Sequence, residues 1–245
     1  MKNKLEDKIR EIAENLGLFN ISKESYDLKA VSTSFSNNLE FLYEILREEL
    51  YLRETKSREK RWSRSRLDRE KTFENYDLKE GHGIKEDRIF AIKDFDWVQQ
   101  KSNIILKGPT GTGKTHIANA IGNLAIIEGY KVQFFQFDLF LQRIVNADRN
   151  ATKIEYMKEC DIIIIDEVGY LPIEEEEAKA FFKIVNELNA SVSIVITTNL
   201  DLSTWDNIFR NEFLTRTIVD RLTYHCQVIK TSGASYRLKH QKSIF

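Results

Sequence analysis

The sequence predicts an α/β fold: a parallel five-stranded sheet held between two helical layers, preceded by a small helical N-terminal domain. Short aliphatic runs alternate with helix-length segments from residue 103 to residue 230. A glycine-rich loop ending in lysine lies between the first run and the helix after it, and the third run closes on two adjacent carboxylates. Parallel strands need crossovers of helical length, so the alternation implies that both faces of the sheet are covered. Such sheets place ligands at the carboxyl ends of their strands, where the loop and the acids both fall.

From the N-terminus, Leu5, Ile9, Ile12, Ala13 and Leu16 recur at helical spacing, and Gly17 is placed to end that helix. Asn37 with Glu40 resembles a capping arrangement, after which Leu39, Leu42, Ile45, Leu46 and Leu50 form the apolar stripe of a longer helix. Beyond Leu50 the stripe gives way to charge. Arg53, Lys56, Arg58, Lys60, Arg61, Arg64, Arg66, Arg69 and Lys71 face only Glu54, Glu59, Asp68 and Glu70, so the segment is cationic. A solvated helix laced by i,i+4 pairs and a surface that follows phosphates both fit that pattern. Residues 1–72 are read as the helical N-terminal domain, residues 73–101 with Gly81 and Gly83 as a linker, and residues 102–245 as the sheet domain. In that domain strands are expected at 103–107, 132–137, 161–166, 193–198 and 227–230, with a helix over 114–128.

Composition restricts the class of protein. Over 245 residues, 42% hydrophobic and 31% charged with a formal net charge of -1 suits a soluble globular chain and excludes disorder as its main state. The aliphatic run Ile162 to Ile165 is far too short to span a membrane, and Glu6, Asp7 and Glu11 stand where a signal peptide would be cationic and then apolar. A cytoplasmic protein with no membrane contact is expected. Cys160 and Cys226 make neither a disulfide framework nor a spaced metal set, and His225 beside Cys226 lacks further ligands for zinc.

Gly108, Pro109, Thr110, Gly111, Thr112, Gly113, Lys114 and Thr115 fit G-x-x-x-x-G-K-[ST], directly after a predicted strand and before a predicted helix. Glycines let such a loop curl with its N–H groups inward, since a Cβ would block positive φ and close approach to phosphate oxygens. The helix N-terminus adds partial positive charge. Lys114 is expected to reach the β- and γ-phosphates of a nucleotide, and the Thr115 hydroxyl to coordinate Mg2+. His116 follows on the loop's own helix and is grouped with the nucleotide-binding residues, as a packed residue rather than a catalyst.

The strand 161–166 ends in Asp166 and Glu167, and adjacent acids at the end of a buried strand point to a cation or a reacting group. Asp166 is expected in the Mg2+ shell and Glu167 beside the water that attacks the γ-phosphate. Successive strand residues face opposite ways, so the curvature of the strand end decides whether Glu167 reaches that water. Asn199 closes the next aliphatic strand, either as a γ-phosphate sensor or as an ordinary strand-end turn. Arg216 and Arg221 follow on a predicted helix, where a finger for a neighbouring subunit's nucleotide and a salt bridge with Asp220 are equal readings. Glu174 to Glu177 open a helix, as suits its dipole.

With these residues in view, the chain resembles the AAA+ ATPases of the initiator and helicase-loader group, P-loop NTPases, and most closely the IstB family of transposition helper proteins. The likeness runs through Gly108 to Gly122, Asp161 to Pro172, Thr197-Thr198-Asn199, Trp205, Asp220-Arg221-Leu222 and the closing Ser235-Tyr236-Arg237-Leu238-Lys239. Its most specific parts are Asp166, Glu167 and Gly169 to Pro172, with Ser235-Tyr236-Arg237. The resemblance implies an ATPase that assembles on DNA, bends it, and recruits and stimulates a transposase. In that scheme the loop and Lys114 bind ATP, Thr115 and Asp166 hold Mg2+, Glu167 and Asn199 support hydrolysis, Arg221 is the leading arginine finger and Arg216 the second. It also implies a helical N-terminal region used with DNA and partner.

Pro109-Thr110 stands where many members of that family have two prolines, and the N-terminal seventy residues match weakly. The chain stops soon after Lys239, so the helical lid of larger AAA+ proteins is expected to be absent, with its second sensor arginine. Phe73-Glu74-Asn75-Tyr76 resembles the entry segment of helicase loaders, which makes Phe73 and Tyr76 candidate adenine contacts beside plain linker packing. Two other functions stay open: a replicative helicase loader of the DnaC or DnaI kind, and a nucleotide-dependent DNA-binding scaffold with negligible turnover. A sequence pI near 6.5 is no footprint for DNA. Binding, non-specific and through backbone and shape, must come from Arg53 to Lys71 and from Lys230, Arg237, Lys239 and Lys242.

Overall fold

All five expected strands form in the computed structural model, which describes residues 4–23, 26–27, 38–76, 84, 86–146 and 151–239. They are β1 (Asn103–Lys107), β2 (Val132–Gln136), β3 (Ile162–Asp166), β4 (Ser193–Thr198) and β5 (Cys226–Lys230). Neighbours pair in parallel in the order β2-β3-β4-β1-β5. Phe137, expected to end the second strand, opens a helix instead, and its ring meets Phe181 edge-on with centroids 5.4 Å apart. The capping expected at Asn37, Gly81 and Gly83, and Lys242 lie outside the described residues, as do the side chains of Leu5, Arg237 and Leu238.

The helices are α1 (Lys4–Asn15), α2 (Asn38–Ser65), α3 (Glu86–Lys93), α4 (Asp96–Gln99), α5 (Lys114–Ile127), α6 (Phe137–Val145), α7 (Ala151–Lys158), α8 (Glu175–Leu188), α9 (Asp206–Phe209), α10 (Glu212–Thr223) and α11 (Tyr236–Lys239). β3 explains the layering. Its side chains alternate, so Ile162 and Ile164 join Ile117, Ile121 and Ala125 of α5, while Ile163 and Ile165 join Phe181, Val185 and Leu222 on the other face. All four isoleucines are fully buried. Each such side chain stabilises the fold by about 1.5–3 kcal/mol, which makes a continuous aliphatic strand the favoured centre of a two-sided sheet. α8 starts at a capping box, with the Glu174 N–H donating to the Glu177 carboxylate at 2.9 Å. Among the described residues no helix is long and apolar enough to cross a membrane.

Contacts divide the chain into residues 1–60 and 61–245. In the first unit Ala13, Ile21 and Ile45 form a small core with Leu18, Tyr26 and Phe41 around it. Gly17 ends α1 at φ +64, a left-handed turn in which Leu18 N–H returns to the Ala13 carbonyl at 2.7 Å. The buried Glu49 carboxylate accepts from the backbone N–H groups of Phe19, Asn20 and Ile21. Of the apolar stripe on α2, Ile45 is buried, whereas Leu39, Leu42, Leu46 and Leu50 are exposed.

Residues 61–72, read with the helical domain, group instead with the sheet. The reason is a polar ladder on α5. Asn119 Oδ1 accepts from the Asp68 N–H at 2.9 Å, and Asn123 Nδ2 donates to the carbonyls of Asp68 and Lys71 at 2.8 and 3.0 Å. Asn123 Oδ1 accepts from Trp62 Nε1 at 3.0 Å, and both asparagines are buried. α2 stops at Ser65 because Arg66 turns left-handed at φ +63, and the chain then runs along α5 without helical structure. The linker expected over 73–101 carries α3 and α4, whose Ile92, Trp97 and Val98 enter the core on the α5 face.

Asn123→Leu removes the partner of the Trp62 indole N–H and of the Lys71 carbonyl and leaves the Asp68 carbonyl only the Lys71 N–H, so it should destabilise the 61–245 unit by about 2–4 kcal/mol. Denaturant melting of the full chain measures it. A loss below about 0.5 kcal/mol would mean that the ladder does not anchor the segment.

Candidate functional site

The loop between β1 and α5 is shaped by two left-handed glycines, Gly111 at φ +80 and Gly113 at φ +85. A Cβ would lie 2.1 Å from Ser235 Oγ at the first and 2.7 Å from the Tyr76 ring at the second, so both conformation and space require glycine. Thr112 Oγ1 bonds the Pro109 carbonyl at 2.8 Å and Thr231 Oγ1 at 2.6 Å, tying the loop to the residue after β5. The Lys114 ammonium donates to the carbonyls of Gly108 and Pro109, each at 2.7 Å. Amides at the N-terminus of α5 and this ammonium together make a cationic cradle.

Across from the loop, Asp166 ends β3 and is 3% exposed. The Thr115 hydroxyl donates to its carboxylate, 3.0 Å from either oxygen, and the Thr197 hydroxyl donates at 2.5 Å. Burial pushes this carboxyl above its ordinary range, while the two hydroxyls and then the ammonium groups of Lys71 and Lys114 oppose that push. Glu167 leaves the strand at φ +62, a turn uncommon for a residue with a Cβ. Its N–H donates to Thr197 Oγ1 at 2.9 Å. One threonine on β4 therefore holds both acids, and the turn brings the Glu167 side chain into the same chamber as the loop.

The chamber has a volume of about 500 Å3. Thr110, Gly111, Gly113, Lys114, Thr115 and His116 line it from the loop side, Glu167 and Asn199 from the strand ends. Gly108 and Pro109 lie on its outer side, in a shallower recess that Thr110 and Asn199 share. His116 Nε2 is 2.7 Å from the Thr72 carbonyl and its ring lies 5.4 Å from that of Tyr76, a packed arrangement. Tyr76 lines the chamber, with burial raising its phenol to about 12, whereas Phe73 is absent from the lining and lies under the Lys93 ammonium at 4.9 Å. Arg216 and Arg221 are exposed on α10 and neither lines the chamber. Arg216 pairs with Glu212; among the described residues no ion pair joins Arg221 to Asp220.

Sequence reading missed Thr197 as the residue that joins the two acids, and Lys71, Tyr170 and Tyr236 as chamber residues. The Tyr236 N–H donates to the Gly111 carbonyl at 2.9 Å, which ties the closing Ser235-Tyr236 pair to the loop. For Thr197 a signal existed: a hydroxyl in an otherwise aliphatic buried strand needs a partner.

The donors suit Mg2+ with a nucleotide. A hydroxyl and a carboxylate in contact are hard oxygen ligands, and Mg2+ is commonly held by one or two carboxylates plus substrate phosphates. Among the described residues no cluster of three or more His, Cys, Asp or Glu side chains could hold a metal by itself, so the phosphates would complete the shell.

The family described as IstB-like ATP binding protein matches residues 13–244. The chain is 33% identical over 209 residues to an ATP-binding protein designated for insertion sequence IS21 in Pseudomonas aeruginosa, covering 84% of this chain and 79% of that one. It is 29% identical over 238 residues to the protein so designated for insertion sequence IS232 in Bacillus thuringiensis subsp. berliner, covering 95% and 91%. The fold is similar to the crystal structure of DnaI, with a TM-score of 0.56 at 17% identity over 71% of this chain and 95% of that one. The parallel sheet between two helical layers is thus a P-loop fold of the AAA+ kind, shared with that structure.

A carboxylate kept ionised against burial opposes folding, so Asp166→Asn should leave the nucleotide-free protein as stable as the parent or raise its melting temperature at neutral pH. The same variant should lose the stabilisation that Mg2+ with ATP confers. Thermal denaturation with and without both ligands measures the two effects, and an unchanged ligand-induced shift would remove Asp166 from the metal site.

Proposed function

The chain belongs to the family of IstB-like ATP-binding proteins, and from that premise we propose that it is a Mg2+-dependent ATPase that oligomerises on DNA and recruits and stimulates a transposase. The observation that carries this reading is the shared hold of Thr197 on Asp166 and Glu167, opposite Lys114 and Thr115. A binding-only site has no need of a second acid aimed into the chamber. In the proposed cycle, the loop's N–H groups over 110–115 and Lys114 grip the triphosphate, Lys114 exchanging its two loop carbonyls for β- and γ-oxygens. Magnesium, when bound, neutralises charge on the phosphates. Thr115 and Asp166 would hold the ion, Glu167 orients and deprotonates the attacking water, and Asn199 holds that water against the γ-phosphate.

Arg221, with Arg216 as the second candidate, would act on a neighbouring copy's nucleotide, because neither arginine lines the chamber of its own chain. Oligomerisation is then part of catalysis. DNA would be held non-specifically by cationic surface, with affinity falling steeply as salt rises. The chain would work in the cytoplasm. The second reading, a helicase loader of the DnaC or DnaI kind, draws on the fold likeness to DnaI, but insertion-sequence relatives match far more of the sequence. The third, a DNA-binding scaffold with negligible turnover, leaves Glu167 without a purpose.

Glu167→Gln should keep ATP and release phosphate slower by about 100-fold or more, in the range that removal of a general base costs. Lys114→Ala should lose the nucleotide itself. Phosphate-release rates beside equilibrium ATP binding separate the two, and parental turnover by Glu167→Gln would contradict the catalytic assignment.

A further inference from the structure

The cationic run over 53–71 reads from sequence as one surface, but its members beyond residue 60 have separate fates. Arg61 donates to the Ile126 carbonyl at 3.3 Å. The guanidinium groups of Arg64, Arg66 and Arg69 lie over the rings of Tyr156, Phe135 and Trp62, at 5.4, 5.9 and 4.8 Å from the centroids. Arg64, Arg66 and Arg69 keep exposed side chains while resting on those rings. Lys71 lines the chamber that holds Lys114, Thr115 and Glu167.

We propose that Lys71 is a second phosphate-binding cation of the nucleotide site, carried there by the polar ladder of α5; the assignment rests on the nucleotide-binding reading above. Three geometric facts support it. The ladder fixes the backbone on both sides of the residue, through the Asp68 N–H, the Lys71 carbonyl and the Thr72 carbonyl. His116, Asn119 and Asn123, which make those bonds, follow Thr115 along the phosphate loop's own helix, so segment and loop are positioned by one rigid element. The Lys71 ammonium rests on Asp68 at 3.0 Å, in an i,i+3 pair whose side chains are 37% and 45% exposed. An exposed pair of that kind contributes little to stability and yields readily to a phosphate oxygen.

The electrostatics agree with the placement. Lys71 acts on the Asp166 carboxylate from outside the loop, as Lys114 does from within it. A triphosphate bound in the chamber would have two lysines in its lining, Lys114 and Lys71. Lysine suits this task, because a compact charge on a flexible stem can leave Asp68 and follow the phosphate chain. The cation thus belongs to the nucleotide rather than to a DNA track.

Equilibrium binding of a non-hydrolysable ATP analogue with Mg2+ tests this on the full chain, with duplex DNA titrated in parallel. Lys71→Gln should weaken the analogue about tenfold, as loss of one charged contact to phosphate does, while Lys71→Arg stays within about threefold. Asp68→Asn, which frees the ammonium from its resting pair, should bind the analogue at least as tightly as the parent. Equal affinity for Lys71→Gln and the parent would overturn the proposal. So would a loss in Asp68→Asn as large as in Lys71→Gln, which would mean that only the ion pair matters, or a Lys71→Gln variant impaired for DNA alone. If the parent chain itself takes up no analogue, the nucleotide-binding reading fails first and this assignment with it.

Discussion

A buried carboxylate held by two threonine hydroxyls is the constraint on which the site depends. Asp166 reaches its position because β3 is aliphatic along its length and buried on both faces, so its last residue is driven to the rim of the core. There it is kept by Thr115 from the phosphate loop's helix and Thr197 from the neighbouring strand. An ionised group in that setting is costly unless something compensates it. The hydroxyls compensate in part, and a cation arriving with a nucleotide would do the rest. The geometry of β3, β4 and α5 is thereby coupled to the ligand: three elements that form the centre of the fold meet at one acid.

Thr197 extends that coupling to the second acid, Glu167. By accepting from the Glu167 N–H it holds a left-handed turn that strand geometry alone would not favour. Without the turn, Glu167 would point away from Asp166, as successive strand residues do. The unusual backbone at this residue and its place in the chamber lining are therefore one feature. The glycines opposite work by the same logic, since Gly111 and Gly113 allow Ser235 and Tyr76 to close on the loop where any side chain would hold them off.

β1, β3 and β4 were legible because strands buried on both faces write themselves as aliphatic runs, whereas β2 and β5 carry glutamines and followed from the alternation of strand and helix. Errors fell where a polar pattern carried the structure. Residues 61–72 look like a solvated helix in sequence, yet Asn119, Asn123 and His116 bond their backbone and make them part of the sheet unit. Polar residues at helical spacing on a buried face are hard to tell from a solvent-facing stripe without the partner chain segment in view. α3 and α4 read as linker in sequence because they are short and follow Gly81 and Gly83. In the site, the loop and the two acids were evident from residue type and spacing, whereas Thr197 and Lys71 gain their roles only from neighbours distant in sequence.

The claim at the centre is that this chain is built around one Mg2+–nucleotide complex per copy, gripped between residues 108–115 and Asp166. Calorimetric titration of the folded chain with ATP, in the presence of Mg2+ and again with the metal chelated, tests it most directly. The account predicts saturable uptake near one nucleotide per chain and a clear loss of affinity on chelation. Well-folded protein that takes up no ATP, or binds it equally well without the metal, would contradict it.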